Sequence, residues 1–286
     1  MDTIMEFQDV TYYYPLTKTP AVCRLNLRLE RGKLYGVIGE NGSGKSTFCA
    51  LARGFAPGFY QGELTGNVLV EGKDIAEYGG ELASKIGYVF QNPFHQLSGV
   101  KSTVFEEVGY GLENFGVSPC EMEQRIVEAM KLTEIEELAE KNPLELSGGQ
   151  IQRVALASVL VLDPDILIAD EPTSQLDPEA TESVFAIINT LKQKEKTVIL
   201  VEHKMDLIAE YADEVLVFQN GRLAASGETE KLLSDKSLLN MGVTLPQAAR
   251  LGNLLKEMGF PLDRIPITEE QAVELIQRAF RERGGI

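Results

Sequence analysis

Three short segments of the chain carry residue types that could bind and cleave a phosphoanhydride, and the first is a glycine-rich loop. Residues 39–47 fit the pattern G-x-x-x-x-G-K-[ST] between an apolar, strand-like segment and a helical one. Glycines let backbone N–H groups surround a β-phosphate, while the lysine reaches the β- and γ-phosphates and the following serine binds Mg²⁺. The sequence therefore predicts a nucleotide site formed by Gly39, Asn41, Gly42, Ser43, Gly44, Lys45, Ser46 and Thr47.

The second segment is a glycine-rich turn, Leu-Ser-Gly-Gly-Gln at residues 146–150, although one nucleotide needs only one phosphate cradle. Ser147 stands at a helix N-cap position and Gln150 follows three residues later, which is the pattern of a capping box. Such a helix start presents free N–H groups and a positive dipole end to an anion. Two interpretations stay open: a capped surface helix, or a turn of Ser147, Gly148, Gly149 and Gln150 that binds the nucleotide of another molecule.

The third segment is a pair of carboxylates, Asp170 and Glu171, directly after the apolar residues 166–169. The apolar run predicts a buried strand, and α/β sheets bind ligands at the carboxyl ends of their strands. Beside a phosphate-binding loop, Asp170 is expected to hold Mg²⁺ and Glu171 to orient or deprotonate the attacking water. The alternative is a polar loop that follows a strand and has no chemical role.

Gln91 and His203 each follow an apolar strand and have two possible roles. Gln91 precedes the strand-breaking Pro93, and its carboxamide either caps the turn or bridges Mg²⁺ and the attacking water. His203 ends a strand expected in the same sheet as Asp170, so it either reaches the γ-phosphate or is a structural histidine. The other histidine, His95, is expected at the surface.

Aromatic and acidic candidates complete the set. Residues 5–14 predict a strand, and Tyr12, Tyr13 or Tyr14 either stacks on a nucleobase or packs on a strand face. Asp177 precedes Pro178 at the predicted start of a helix, where it is an adequate N-cap.

The order of elements predicts how these segments are positioned. Residues 33–38 predict the strand that enters the phosphate-binding loop, and residues 62–91 predict antiparallel strands that close with a strand at 86–90. Apolar residues recur at helical spacing between 103 and 141, which indicates a helical subdomain inserted into an α/β core. Asn220 and Gly221 form a two-residue hairpin turn.

Beyond residue 228 the sequence predicts two amphipathic helices without a core of their own. A capping box at Thr268 and Gln271 begins the second. Their apolar stripes are expected to cover the main domain or, as we favour, a partner. The stripes are formed by Ala248, Leu251, Leu255 and Met258, and by Ala272, Leu275, Ile276 and Ala279.

Composition and charge disfavour several classes of protein. Lys and Arg number 27 against 43 Asp and Glu, a net charge of −16 that disfavours binding to nucleic acid or to anionic lipid. No apolar run approaches the roughly 20 residues of a membrane-spanning helix, and the first residues do not resemble a secretion signal. We therefore expect a cytosolic chain. Its three cysteines lack the C-x-x-C spacing of a disulfide framework or a zinc site.

The order of these motifs resembles that of ABC-type ATPases over about residues 3–227. The resemblance implies an α/β fold: a P-loop NTPase core of ABC type with an antiparallel β subdomain, a helical subdomain at about 92–163 and a small C-terminal helical extension. It implies a head-to-tail dimer, in which the loop of one subunit and the Leu-Ser-Gly-Gly-Gln turn of the other enclose ATP and Mg²⁺. It also assigns roles: Tyr14 stacks on adenine, Glu171 is the general base, His203 contacts the γ-phosphate, and Asp177 communicates across the dimer.

Segments at residues 62–68, 111–117, 245–247, 250–251 and 268–276 further resemble ATPase subunits of energy-coupling factor importers. That likeness implies an ATPase that drives uptake of a vitamin or transition-metal ion. Its partners would be a second, identical or homologous ATPase subunit, a transmembrane coupling protein and a substrate-binding membrane protein. The chain would lie at the cytoplasmic face of the membrane, and residues 228–286 would form a dimerisation region.

Three alternatives remain. One is the ATPase of another ABC transporter, which imports amino acids or ions or which exports. The second is an ABC ATPase that acts on DNA or ribosomes, which the single cassette, the absence of long heptads and the net charge of −16 disfavour. The third is a phosphate-loop kinase or GTPase, which the second glycine-rich turn disfavours.

Overall fold

The strands of the chain form two sheets. The computed structural model describes residues 2–260 and 262–282. Within those residues the strands are β1 (Thr3–Tyr13), β2 (Val22–Glu30), β3 (Leu34–Ile38), β4 (Glu63–Val70), β5 (Lys73–Asp74), β6 (Ile86–Val89), β7 (Ile166–Asp170), β8 (Thr197–Val201), β9 (Glu214–Gln219) and β10 (Arg222–Glu228).

The helices lie between and after these strands. They are α1 (Lys45–Arg53), α2 (Leu82–Lys85), α3 (Val104–Asn114), α4 (Pro119–Leu132), α5 (Gly148–Leu160), α6 (Pro178–Gln193), α7 (Met205–Tyr211), α8 (Thr229–Leu233), α9 (Gln247–Glu257) and α10 (Glu269–Glu282). In the part of the chain that the structure describes, none of them is long and apolar enough to cross a bilayer.

The larger sheet fixes the positions of the candidate site residues. Its strand order is β10-β9-β3-β8-β7-β6, and β3, β8, β7 and β6 pair in parallel. All residues of these four strands are buried, as expected for parallel strands covered on both faces. Their carboxyl ends therefore lie at one edge of the sheet. The phosphate-binding loop, Gln91, Glu171 and His203 follow these strand ends and therefore lie at that edge.

The smaller sheet confirms the predicted antiparallel subdomain, but one strand predicted to belong to it lies in the larger sheet. Its order is β2-β1-β4-β5, and its strand pairs are antiparallel. The expectation that residues 86–90 close this sheet is wrong, because β6 pairs in parallel with β7 in the larger sheet. Short helical turns and α2 occupy most of residues 75–85 and carry the chain from one sheet to the other.

The helical subdomain is inserted between β6 and β7, as the spacing of apolar residues predicts. Helices α3, α4 and α5 pack on one another around a core of their own. Val108, Ile126, Met130 and Val154 are at most 2% exposed in this core. The insertion leaves the sheet after the carboxyl end of β6, where Gln91 lies, and returns to it at the amino end of the parallel neighbour β7.

The C-terminal segment packs on the main domain and exposes part of its apolar surface. Val243, Leu245, Ala249 and Ile267 are buried in the core beneath the larger sheet. Of the stripe predicted on α9, Ala248 is buried and Leu255 is partly buried, whereas Leu251 is 42% and Met258 73% exposed. On α10, Ala272 is buried, Leu275 and Ile276 are partly buried, and the side chain of Ala279 lies outside the described residues.

Candidate functional site

The phosphate-binding loop joins β3 to α1 and is packed against the β9–β10 hairpin. Gly39, Gly42 and Gly44 have φ angles of 147°, 78° and 107°, a region that favours glycine. A Cβ atom at Gly39 would lie 2.2 Å from the carbonyl oxygen of Phe218, so the loop and β9 are in direct backbone contact. The hydroxyl of Ser43 is buried and has no hydrogen-bond partner among the described residues. A buried, unpaired hydroxyl in this loop fits a phosphate oxygen as its partner.

Lys45 lies folded against the loop that it follows. Its side chain is 5% exposed, and Nζ donates hydrogen bonds to the carbonyl oxygens of Gly39 at 2.8 Å and Glu40 at 3.0 Å. Burial lowers the pKa of Lys45, and the nearby carboxylates of Glu171 and Asp170 oppose that shift. An anion that bound in the loop would provide the ammonium with a charged partner in place of two carbonyl oxygens.

Asp170 is held by two hydroxyl groups at the end of β7. Tyr88 donates to Oδ2 at 3.0 Å, and Ser46 donates to Oδ1 at 3.4 Å. Burial raises the pKa of Asp170, and the hydrogen bonds from Tyr88 and Ser46 oppose that shift. Burial also raises the pKa of Tyr88 well above its ordinary value, so its neutral hydroxyl is the donor. A carboxylate beside a serine hydroxyl is a hard-oxygen donor set that fits Mg²⁺.

Glu171 connects the ends of three strands. Its Oε2 accepts a hydrogen bond from Nε2 of Gln91 at 2.8 Å. Its Oε1 lies 2.8 Å from Nε2 of His203. The residue has a φ of 51°, a strained left-handed conformation, and its N–H donates to the carbonyl of Val201 at 3.0 Å. The structure thus brings together Gln91, Glu171 and His203. By contrast His95 is exposed, as expected.

Tyr14 is the tyrosine of the predicted trio that lines the cavity beside the phosphate-binding loop. This cavity, about 500 Å³ in volume, also contains residues of the loop together with Gln91 and Glu171. The Tyr14 hydroxyl lies 3.2 Å from Oγ1 of Thr47, and its ring meets that of Tyr12 edge-on. Tyr12 is fully buried, so it cannot stack on a base.

The second glycine-rich turn forms a separate cavity with the start of α6. Ser147 is the N-cap of α5: its Oγ accepts from the Gln150 N–H, and its own N–H donates to Gln150 Oε1 at 3.1 Å. Asp177 caps α6 by accepting from the Ala180 N–H at 2.8 Å. Together Ser147, Gly148, Gly149, Gln150 and Asp177 line a cavity of about 470 Å³ that shares no lining residue with the cavity at Tyr14.

Two site residues have no signal in the sequence. Tyr88 lies within the apolar strand β6, and only the register of β6 with β7 places its hydroxyl on Asp170. Glu202 precedes His203 and is 3% exposed, although a charged residue after a strand is expected to face solvent. Neither feature could be found from local spacing, because Tyr88 contacts Asp170 and Glu202 contacts Thr173, and the partners are far apart in sequence.

A phosphate-binding loop, a strand-end carboxylate pair and a separate Leu-Ser-Gly-Gly-Gln turn define an ATPase of the ABC type. A family model described as ABC transporter matches residues 22–174, and the chain belongs to this family. The predicted fold class and ATPase activity are thereby confirmed.

More particularly, the chain is similar to ATP-binding subunits of transporters. It is 41% identical to a putative ABC transporter ATP-binding protein of Pyrococcus horikoshii, over 97% of this chain and 98% of the relative. It is 38% identical to the energy-coupling factor transporter ATP-binding protein EcfA2 of Streptococcus pyogenes, over 96% of this chain and 99% of that protein. The predicted likeness to energy-coupling factor ATPases is confirmed.

Solved structures agree with these relatives. CbiO1 from Clostridium perfringens, described as part of the ABC transporter complex cbiONQ, superposes with a TM-score of 0.74 and 30% identity, covering 90% of this chain and all of that one. A dimeric ATP-binding cassette in a post-hydrolysis state, bound to ADP and Pi, has a TM-score of 0.68 and 28% identity, covering 79% of this chain and 99% of that one.

Substitution of Gly39 by Ala tests the packing of the phosphate-binding loop. The new Cβ would meet the Phe218 carbonyl at 2.2 Å, and the φ of 147° would be strained for alanine. We expect the free energy of unfolding in urea to fall by about 1–3 kcal/mol. Gly80→Ala is the matched control, because a Cβ there has no atom within 4 Å. Equal stability of both variants would contradict this description of the loop.

Proposed function

We propose that this ATPase supplies the energy for uptake of a vitamin or a transition-metal ion through separate membrane subunits of the energy-coupling factor type. The supporting observation is the similarity to EcfA2, which covers 96% of this chain. A similarity limited to the cassette at residues 1–227 would cover 227 of 286 residues, which is less than that share. The likeness therefore extends into the C-terminal segment, and the description of CbiO1 as part of a transporter complex supports the same class.

We propose that residues 39–47 bind the phosphates of ATP and that the cavity wall at Tyr14 contacts the adenine. Lys45 would exchange its two carbonyl partners for the β- and γ-phosphates. Ser46, Asp170 and the Gln91 carboxamide would hold Mg²⁺. Bound Mg²⁺ would neutralise charge that develops on the β- and γ-phosphates.

Glu171 would act as the general base. Its carboxylate would accept a proton from the attacking water, and its hydrogen bond with Gln91 would orient it toward the γ-phosphate. His203, 2.8 Å from Glu171, would bind a γ-phosphate oxygen through Nε2. No covalent intermediate is required, because positioning and charge stabilisation account for most of phosphoryl-transfer catalysis.

The separate cavities at Tyr14 and at Ser147 support a dimer in which each subunit completes the other's site. The N-terminus of α5 would bring N–H groups and a positive dipole end to the γ-phosphate of the partner's ATP. Asp177 lines the same cavity as Ser147, so it would contact the partner at the same interface. The pair would be head to tail, formed with a second copy of the chain or with a close relative.

We further propose that the chain has two regions with different roles. Residues 1–227 form the ATPase domain, with a helical subdomain at about 92–163, and residues 228–286 stabilise the dimer. The exposed apolar side chains of the C-terminal segment support this role, because their transfer from water into an interface is favourable. They are Leu239, Leu251, Leu254, Met258 and Val273.

The membrane partners would be a transmembrane coupling protein and a small substrate-binding membrane protein, which would hold this chain at the cytoplasmic face. Purification of the intact complex from the native membrane, with mass spectrometry of its subunits and bound solute, tests this proposal. We expect both membrane partners and a vitamin or transition-metal ion. A complex with a permease that lacks the substrate-binding subunit would contradict it and favour another ABC importer or an exporter.

The Glu171→Gln variant tests the general base. Glutamine keeps the size of the side chain but cannot accept the proton, so kcat should fall about 10²–10⁴-fold while ATP affinity is retained. ATP should then hold the variant as a closed dimer in light scattering. Glu63→Gln, which removes one exposed carboxylate on β4, is the control and should behave as wild type. Near-normal hydrolysis by the first variant would exclude the assigned role.

Paired substitutions at the C-terminal end of α9, at Leu254 and at the capping residue Met258, test the exposed apolar side chains without exposing the core. Leu254 and Met258 are 58% and 73% exposed, so Leu254→Gln with Met258→Gln should preserve the fold and weaken dimerisation. ATP affinity of the monomer should be unchanged. Val127→Gln on α4, which is 36% exposed, controls for the general loss of surface apolarity. A dimer dissociation constant equal to that of wild type would refute the proposed role of these side chains.

A further inference from the structure

Glu202 is a buried carboxylate to which the proposed mechanism gives no role. It follows β8, directly precedes His203 and is 3% exposed. Its Oε2 accepts hydrogen bonds from the backbone N–H groups of His203 at 2.6 Å and Lys204 at 3.2 Å. Its Oε1 accepts a short hydrogen bond from Oγ1 of Thr173. Three donors compensate for the cost of burying the charge.

Thr173, which donates to Glu202, lies in the segment that joins Glu171 to Asp177. The residue is 1% exposed, two positions after Glu171 and four before Asp177. Consecutive turns stiffen the segment: the Ser174 N–H donates to the Glu171 carbonyl, and the Leu176 N–H donates to the Thr173 carbonyl, both at 3.2 Å. The carboxylate of Glu202 thus ties this segment to the backbone of His203.

Lys204 forms a second connection between the chain at His203 and the segment that joins Glu171 to α6. Its Nζ donates to Oγ1 of Thr181 at 3.0 Å and contacts the carbonyl oxygen of Thr173 at 3.5 Å. Thr181 belongs to the first turns of α6, which begins after Asp177. Residues on both sides of His203 are therefore bonded to the segment that carries Glu171 and Asp177.

The His203 side chain is 46% exposed, and its Nε2 lies 2.8 Å from Oε1 of Glu171. A displacement of its backbone would move the ring away from both Glu171 and the phosphates. We propose that Glu202 is a positioning residue that sets the distance between His203 and Glu171, through Thr173, and so links their geometry to the segment at Asp177. This inference rests on the proposed roles of Glu171 and His203 in ATP hydrolysis.

The link has a direct consequence for the dimer. Asp177 lines the cavity that would face a second subunit, and Glu202 lines a different cavity, of about 550 Å³, with His203 and residues Gly39 and Asn41. Any movement of residues 173–177 when two subunits meet would be transmitted through Thr173 and Glu202 to His203. Glu202 would thereby make hydrolysis sensitive to pairing.

Glu202→Gln is the first test. Glutamine keeps the shape but removes the negative charge and replaces one acceptor oxygen by an NH₂ group, so the side chain can no longer accept hydrogen bonds from Thr173 and both backbone N–H groups together. We expect kcat to fall about 10- to 100-fold, since small displacements of catalytic groups have effects of this size, while KM for ATP stays the same. Thr173→Val should have the same effect on kcat, and Thr173→Ser, which restores the hydroxyl, should recover turnover.

Glu107→Gln is the matched control for burial of a carboxylate. Glu107 is also 3% exposed, and it accepts from the backbone N–H of Ser98 at 2.5 Å and from its hydroxyl at 2.8 Å. It lies in α3, in the core of the helical subdomain. Glu107→Gln should therefore lower stability and leave kcat of the purified ATPase unchanged.

A double-mutant cycle with His203→Ala separates positioning from general destabilisation. If Glu202 acts through His203, Glu202→Gln should cause no further loss of kcat in the His203→Ala background. Multiplied losses, or wild-type kcat in both Glu202→Gln and Thr173→Val, would overturn the inference while His203→Ala remained impaired. Wild-type turnover by His203→Ala would instead refute the proposed function of His203 and the inference with it. If Glu202→Gln does not fold, the same cycle is run with Thr173→Val.

Discussion

Parallel pairing of four buried strands is the constraint on which the rest of the molecule depends. The strands β3, β8, β7 and β6 run in register, with Val37 opposite Val201 and Asp170 also opposite Val201. That register brings the phosphate-binding loop, His203, Glu171 and Gln91 to one edge, although they are far apart in sequence. Because each of these strands is buried on both faces, a slip by one residue would move every side chain to the opposite face and disrupt the packing of both, so the register is strongly specified.

The charges at this edge show what the proposed second subunit would have to supply. Asp170 and Glu171 lie close to Lys45, whose pKa is lowered by burial, and the whole chain has a net charge of −16. ATP would add further negative charge to this edge, so its binding and cleavage need additional positive partners. Mg²⁺ can provide one. The N-terminus of a capped helix can provide another, and α5 presents such an end in a different cavity from the phosphate-binding loop.

Sequence predicts those parts of the molecule whose physics is local. The phosphate-binding loop, the capping box of Ser147 and Gln150, and the turn at Asn220 depend on residues that are neighbours in the chain, so their spacing identifies them. Membership of β6 in the larger sheet depends instead on burial of both its faces by distant segments. For the same reason, the hydrogen bond from Tyr88 to Asp170 and the network around Glu202 could not be predicted. From the sequence, Tyr12, Tyr13 and Tyr14 are equal candidates for stacking on the nucleobase. The structure removes Tyr12, because its side chain is fully buried.

We propose that each catalytic site is completed by another subunit, and mixing two inactive variants provides a direct test. Lys45→Ala would disable the phosphate-binding loop, and Ser147→Arg would obstruct the N-terminus of α5, so each variant alone should be unable to hydrolyse ATP. In a mixed head-to-tail dimer, the intact loop of one subunit would meet the intact turn of the other. We expect ATP hydrolysis to reappear on mixing and to depend on the proportion of the two variants. A mixture as inactive as its components, with mixed dimers detected by native mass spectrometry, would contradict this proposal.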